Sequence, residues 1–137
     1  MSVDTDAELR EVLGADRIVV IGASTTPEKD AHEVPAYLQD HGYEIVPVNP
    51  YADEVLGEPA YDDLADVPGP IAVVDVFRPA EEVAGIVDTA IERGDVDTVW
   101  TQLGIVDDEA AERAREAGIR VVQDRCLRIE HDRLLGD

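Results

Sequence analysis

Arg17-Ile-Val-Val-Ile-Gly-Ala-Ser-Thr-Thr26, followed by Glu44-Ile-Val-Pro-Val-Asn-Pro50, decides the fold. The first stretch is an uncharged apolar run over residues 18–21 that breaks at Gly22 into small residues before a helical pattern begins near Asp30. A buried strand, a turn that a side chain would obstruct, and a helix whose first amides lack intrahelical acceptors together make a cradle for an anion. The ligand expected at that turn is a phosphorylated cofactor.

The same alternation recurs along the chain. Thr5 and Glu8 form a capping-box pattern ahead of Leu9, Val12 and Leu13, an apolar stripe on a short helix that stops near Gly14. After the first strand, Val34, Tyr37, Leu38 and His41 recur at helical spacing up to Gly42, with Pro35 expected in the first turn, where proline is tolerated. The second strand, Glu44 to Val48, leads into a long connection in which Asp62 is placed to cap a short helical turn. A third strand, Ile71 to Val76, precedes a helix carrying Val83, Ile86, Val87, Ala90 and Ile91 on one face before Gly94. Residues 97–101 form a fourth strand, Asp107 or Asp108 caps an alanine-rich helix ended by Gly118, and residues 120–123 form a fifth. Residues 127–135 read as a terminal helix with Ile129, Leu134 and Leu135 as its apolar contacts.

Five strand–helix alternations with short loops predict a doubly wound, Rossmann-like α/β fold: a five-stranded parallel sheet with helices on both faces. The order expected is 3-2-1-4-5, with a crevice between strands one and four at their carboxyl ends. Gly22, Asn49, Phe77 and Gln102 begin loops at that end, and Cys126 follows strand five on the same side.

At 137 residues and 45% hydrophobic, the chain is expected to be one domain, residues 1–137, with one substantial core and no room for a second catalytic domain. Its 32 acidic and 11 basic residues give a formal charge of -21, spread along helices and loops, which argues against a nucleic-acid partner. Ten arginines stand against a single lysine, Lys29, a bias that looks halophilic, so the acidity reports solvent more than function. One cysteine excludes an intramolecular disulfide and fits a reducing cytosol. The N-terminus has no basic segment and apolar run, and no segment is apolar for long enough to cross a bilayer, so a cytoplasmic protein without a membrane partner is expected.

Dinucleotide folds usually carry G-x-G-x-x-G and an acid at the end of strand two, where a carboxylate takes the ribose hydroxyls. Here the turn reads Gly22-Ala-Ser-Thr-Thr26, and strand two ends at the neutral Asn49. An acid there would repel a phosphorylated ribose, whereas an asparagine amide can donate to it. That shifts the reading from NAD toward a ligand with a phosphorylated ribose.

The motifs Val20-Ile-Gly-Ala-Ser24, Gly42-Tyr43, Pro47-Val-Asn-Pro50, Gly57, Tyr61, Asp75-Val-Phe-Arg78, Val99-Trp-Thr-Gln102 with Gly104, Ala117-Gly118 and Asp124-Arg-Cys126 run nearly the length of the chain. In their order and spacing the chain resembles the CoA-binding domain family, small stand-alone Rossmann-like proteins related to the N-terminal domain of the succinyl-CoA ligase alpha subunit. The resemblance implies coenzyme A as cofactor, with Gly22, Ala23 and Ser24 at the pyrophosphate and Thr25 and Lys29 in the same loop. It further implies Asn49 and Pro50 beside the adenosine, Phe77, Arg78 and Pro79 on the opposite wall, and Gln102 and Gly104 along the pantetheine. Many relatives carry Arg-Ser or Ser-His where this chain has Lys29-Asp30-Ala31-His32. The ligase subunit's second domain, with its phosphorylated histidine, has no counterpart here, so ligase activity is not implied.

Single residues admit plainer readings. Lys29 contacts phosphate or pairs with Glu28 or Asp30, and Arg78 lines the crevice or bridges to Glu81 or Glu82. His32, His41 and His131 lack metal-ligand spacing and are expected on helix surfaces, so no metal is indicated. Cys126 is a small core residue or a thiol facing the cofactor's thiol. Ser24 has no histidine and acid placed around it by motif, and no catalytic residue is assigned. Trp100, Phe77, Tyr51 and Tyr61 are candidates to stack on adenine, with Tyr51 best placed. The function expected is binding of CoA or an acyl-CoA without catalysis, the alternatives being an NAD(P)-linked enzyme or a regulatory or assembly module with a vestigial pocket. A homodimer or a partner enzyme is left open.

Overall fold

Apolar runs become strands where they were expected, but the sheet assembles them in a different order. The computed structural model describes residues 5–136, so the reading of the N-terminus falls partly on residues 1–4, outside those described. Strands β1 (Arg17–Ile21) and β2 (Glu44–Val48) are followed by a small antiparallel hairpin, β3 (Glu54–Val55) and β4 (Glu58–Pro59). Then come β5 (Ile71–Val76), β6 (Val96–Thr101) and β7 (Arg120–Val122). The helices are α1 (Asp6–Leu13), α2 (Asp30–Asp40), α3 (Ala80–Arg93), α4 (Asp108–Glu116) and α5 (Leu127–Leu134).

The five long strands are parallel and lie in the order β2-β1-β5-β6-β7. This is a doubly wound, Rossmann-like α/β sheet, but β5 pairs with β1 rather than lying outside β2 as the order 3-2-1-4-5 required. The outer edge of β2 is already occupied: Tyr61 donates to the Pro47 carbonyl at 3.0 Å, and Asn49 donates to the Tyr61 carbonyl at 2.8 Å. Pro47, which has no N–H, faces that edge, where a missing donor costs little. The chain therefore returns past β1, and the crevice opens between β1 and β5, where successive connections leave on opposite faces.

Both faces are covered. Ile18, Val20, Val73 and Trp100 pack under α1, α2 and α5 with Leu9, Leu38 and Leu127, while Val19, Ile21, Val74 and Val99 pack under α3 and α4 with Val83, Val87 and Ala110. The caps follow the expected chemistry. Thr5 Oγ1 accepts from the Glu8 amide, Asp107 caps α4 by accepting from the Ala110 amide, and Gly94 ends α3 at φ +73°. The short 3₁₀ turn at Leu64–Asp66 is capped by Asp63 rather than Asp62, because Asp63 accepts from the Ala65 amide two residues on.

Two helices depart from expectation. Pro35 lies in the interior of α2, beyond its first turn, and is buried. In α5 the buried residues are Leu127, Glu130 and His131, while Ile129 and Leu135 face solvent. Glu130 is tolerated there because Arg125 and Arg133 donate to it at 3.0 and 2.7 Å, and Arg133 reaches on to Asp6 of α1. His131, expected at the surface, is instead buried with its Nδ1 2.9 Å from the Tyr37 hydroxyl and its ring edge-on to Tyr37, His41 and Tyr43. Burial, reinforced by the neighbouring His41, holds its pKa below the usual histidine value.

Candidate functional site

Two clefts open at the carboxyl ends of the strands, and Phe77 stands between them. The first, about 810 Å³, lies above β1 and β5 and brings together Gly22, Ala23, Ser24, Lys29, Asn49, Pro50, Phe77 and Arg78. The second, about 660 Å³, contains Gln102 and Cys126 with Val34, Tyr37, Leu103, Ile105 and Ile129. Thr25, Pro79 and Gly104 belong to neither lining. The Gly104 amide is instead held by the Asp124 carboxylate at 2.6 Å.

The turn after β1 is built against the turn after β5. Gly22 has φ +87°, and a Cβ there would stand 2.8 Å from Arg78 Cδ and 3.1 Å from the Phe77 carbonyl oxygen. The glycine is therefore required by the protein's own packing at the crevice. Asn49 clasps the other side, its Nδ2 donating to the Ala23 carbonyl at 2.9 Å and its Oδ1 accepting from the Tyr51 amide at 2.8 Å. The first bond ties the end of β2 to the turn after β1, and the second fixes the asparagine side chain on its own loop.

Pro35 also shapes that turn. Lacking an N–H, it leaves the Ala31 carbonyl of α2 without its helical donor, and the Ser24 amide fills the vacancy at 3.1 Å. The Gly22 amide goes to the Val48 carbonyl and the Thr26 amide to Ser24 Oγ. Among the described residues, the amides of Ala23 and Thr25 make no hydrogen bond, so these are the turn's unspent donors.

Charge alone does not favour an anion in the first cleft. Its lining holds the cations Lys29 and Arg78 but also Asp62, Asp63, Glu81 and Glu82. Arg78 is paired to Glu82 at 2.7 Å, which lowers the Glu82 carboxyl below the usual range and raises the arginine further. Lys29, at the N-cap of α2, makes no side-chain cap bond. Tyr51 is almost wholly exposed on the rim, whereas Trp100 is core, its indole N–H donating to the Arg125 carbonyl at 2.7 Å. Tyr61 packs against the core beside β2, so only Tyr51 and Phe77 of the four aromatics line a cleft.

Beneath the second cleft Gln102, which the resemblance placed along the pantetheine, is bonded to a residue to which the sequence reading gave no role. Asp75 of β5 is fully buried, its Oδ1 accepts from Gln102 Nε2 at 2.7 Å, and its Oδ2 has no partner. Burial drives its pKa up to about 8, against the opposing effect of the Gln102 hydrogen bond. The signal was present: an aspartate inside the apolar run Ile71–Val76 has to be either paired or neutral. No group of three or more His, Cys, Asp or Glu among the described residues is arranged to hold a metal.

A doubly wound parallel sheet with a cleft at its reversal point, beside a glycine turn, places the chain in the Rossmann-like class of α/β proteins. A family model, the CoA binding domain, matches residues 16–132, and the chain belongs to that family. The chain is 39% identical over 132 residues to YneT, an uncharacterized protein of Bacillus subtilis, covering 96% of this chain and 97% of that one. The solved structure of a hypothetical protein from Pyrococcus horikoshii superposes with a TM-score of 0.92 at 42% identity, over 97% of this chain and 94% of that one. An ADP-forming acetate–CoA ligase of Methanocaldococcus jannaschii is 26% identical over 131 residues, which is 90% of this chain but 19% of the ligase. The chain thus spans about a fifth of that enzyme.

Proposed function

We propose that the chain binds coenzyme A or an acyl-CoA across the two clefts, with the pyrophosphate at the turn formed by Gly22, Ala23 and Ser24. What carries the reading is the unspent amide of Ala23, a residue that lines the first cleft, in a chain that belongs to a CoA-binding family. Backbone amides at a helix-linked turn hold phosphate by short, directional bonds that do not depend on net charge. This matters where four carboxylates share the lining with two cations. Asn49 and Pro50 then border the nucleoside, with Tyr51 free to stack on its base and Lys29 within the same lining. Phe77 and Arg78 form the facing wall, and the ligand's arm passes Phe77 toward Gln102 and Cys126. The chain works in the cytoplasm as one domain and supplies no catalytic group of its own, serving an enzyme partner or acting as a homodimer.

Thermal unfolding with and without ligand tests this. A ligand at a hundred times its Kd stabilises the native state by about 2.7 kcal/mol, a rise in Tm on the order of 10 °C for a chain of this size. CoA is expected to produce that rise and NAD none, with dephospho-CoA weaker than CoA. Equal shifts with NAD would overturn the reading, and native mass spectrometry of the freshly purified protein would identify any ligand that travels with it.

A further inference from the structure

We infer that Asp75 is a positioning residue for the second cleft: it fixes the Gln102 carboxamide as the polar floor that receives an uncharged amide or carbonyl group of the ligand's arm. This rests on the CoA-binding reading and goes beyond it by naming the group recognised. Strand alternation places Asp75 on the same face of the sheet as Val73, beside Val20 and Trp100, and so under the layer formed by α2 and α5. Gln102 is 6% exposed yet lines the cleft, among the apolar side chains of Phe77, Val34, Leu103 and Ile105. Its side chain makes one hydrogen bond among the described residues, to Asp75, although a carboxamide has two N–H donors and two acceptor lone pairs. A nearly buried amide with unspent capacity in an apolar cleft is how a site orients a neutral polar group.

The proton on Asp75 makes the arrangement work. A charged carboxylate at 0% exposure with an orphan oxygen and no cation would be very costly, so burial favours the neutral acid and raises its pKa. Among the described residues no ionisable group is bonded to it. From α2, Asp30 and Tyr37 face the cleft, and from α5 and its cap Cys126, Arg128, Asp132 and Arg133 do so. His131 of α5 is engaged with Tyr37, and β1 and β6 place only Val20 and Trp100 opposite Asp75. Ionising Asp75 sets a charge beneath apolar walls, draws water under Gln102 and withdraws the floor from the arm.

The test compares CoA with adenosine 3′-phosphate 5′-diphosphate, which keeps the nucleotide and lacks the arm, by calorimetry between pH 6.5 and 9. CoA affinity is expected to fall above about pH 8, approaching tenfold per pH unit, while affinity for the armless nucleotide stays level. Asp75→Asn removes the fall, and Gln102→Ala brings CoA down toward the armless nucleotide. Parallel profiles for the two ligands, or a fall that persists in Asp75→Asn, would overturn the inference while leaving CoA binding intact. If CoA does not bind at pH 7, the CoA-binding reading fails and this inference with it. Should Asp75→Asn not fold, carboxyl NMR titration of the unmodified protein decides: bound CoA must raise the Asp75 pKa, and an unchanged value overturns the positioning role.

Discussion

Arg78 is held by Glu82 one turn along α3, with Nη2 2.7 Å from Oε2 and Nε 3.1 Å from Oε1, while its Cδ lies against Gly22. An anion in the first cleft meets an arginine that already has a carboxylate partner. Both side chains are about half exposed, so the pair contributes at most about 1 kcal/mol and a phosphate can displace it. Glu82→Gln is therefore expected to tighten CoA binding about two- to fivefold at low ionic strength, with the gain vanishing in molar salt. Arg78→Ala should weaken binding less than tenfold, because the amides of the turn remain. Calorimetric titration of both variants across a salt series checks this, and complete loss of binding in Arg78→Ala would show that the guanidinium outweighs the amides.

Gly22→Val puts a branched side chain at φ +87° and drives it into Arg78 Cδ and the Phe77 carbonyl. The left-handed backbone costs about 1–2 kcal/mol before any collision, and the carbonyl, unlike the arginine, cannot swing aside. The variant is expected to melt several degrees lower and to lose CoA binding while circular dichroism still shows the α/β spectrum. A folded Gly22→Val that binds normally would place the ligand elsewhere.

Asp75 should weaken the fold as pH rises. Its pKa is raised from 3.8 to about 8 by burial, so the native state retains a proton that the unfolded chain releases. The associated stability is complete below pH 4, declines through the window from 4 to 8 and is spent above it. At pH 7 the cost has an upper limit of about 4 kcal/mol. Asp75→Asn keeps an acceptor for Gln102 and removes the ionisation, so it should raise Tm more at pH 8 than at pH 4. An equal change at both pH values would show that Asp75 does not titrate on unfolding.

Strand and helix positions were legible because periodicity and capping are local: Thr5, Asp107 and Gly94 act where their types predict. Sheet order was not, because it depends on what occupies an edge far along the chain. Tyr61 closes the edge of β2, and Pro47, which marked that strand as an edge, was the available sign. The first cleft was largely visible, since Gly22, Asn49, Phe77 and Arg78 all end strands or begin turns. The second was harder to see. Val34, Tyr37, Arg128 and Ile129 lie on two helices more than eighty residues apart, and only the docking of α5 on α2 brings them together. The burial of His131 had the same cause, because its partner Tyr37 is 94 residues away.

Cys126 supplies the remaining prediction, in which it forms a mixed disulfide with CoA under mild oxidation. It caps the N-terminal end of α5, is partly buried, and lines the same cleft as Gln102. The plain alternative is packing, since it also lies against the cluster containing Trp100 and Leu127. Exchange requires a thiolate and an open path, and the cleft provides the path if the arm's thiol descends past Phe77. With diamide as oxidant, each thiol gives up one proton and one electron, the two sulfurs bond, and diamide takes up both protons and both electrons. Intact-mass measurement should then show one CoA adduct that dithiothreitol removes and that Cys126→Ser cannot form, while the armless nucleotide suppresses it only at concentrations that displace CoA. Binding of CoA without an adduct would return Cys126 to the role of a small side chain filling the space beside Leu127.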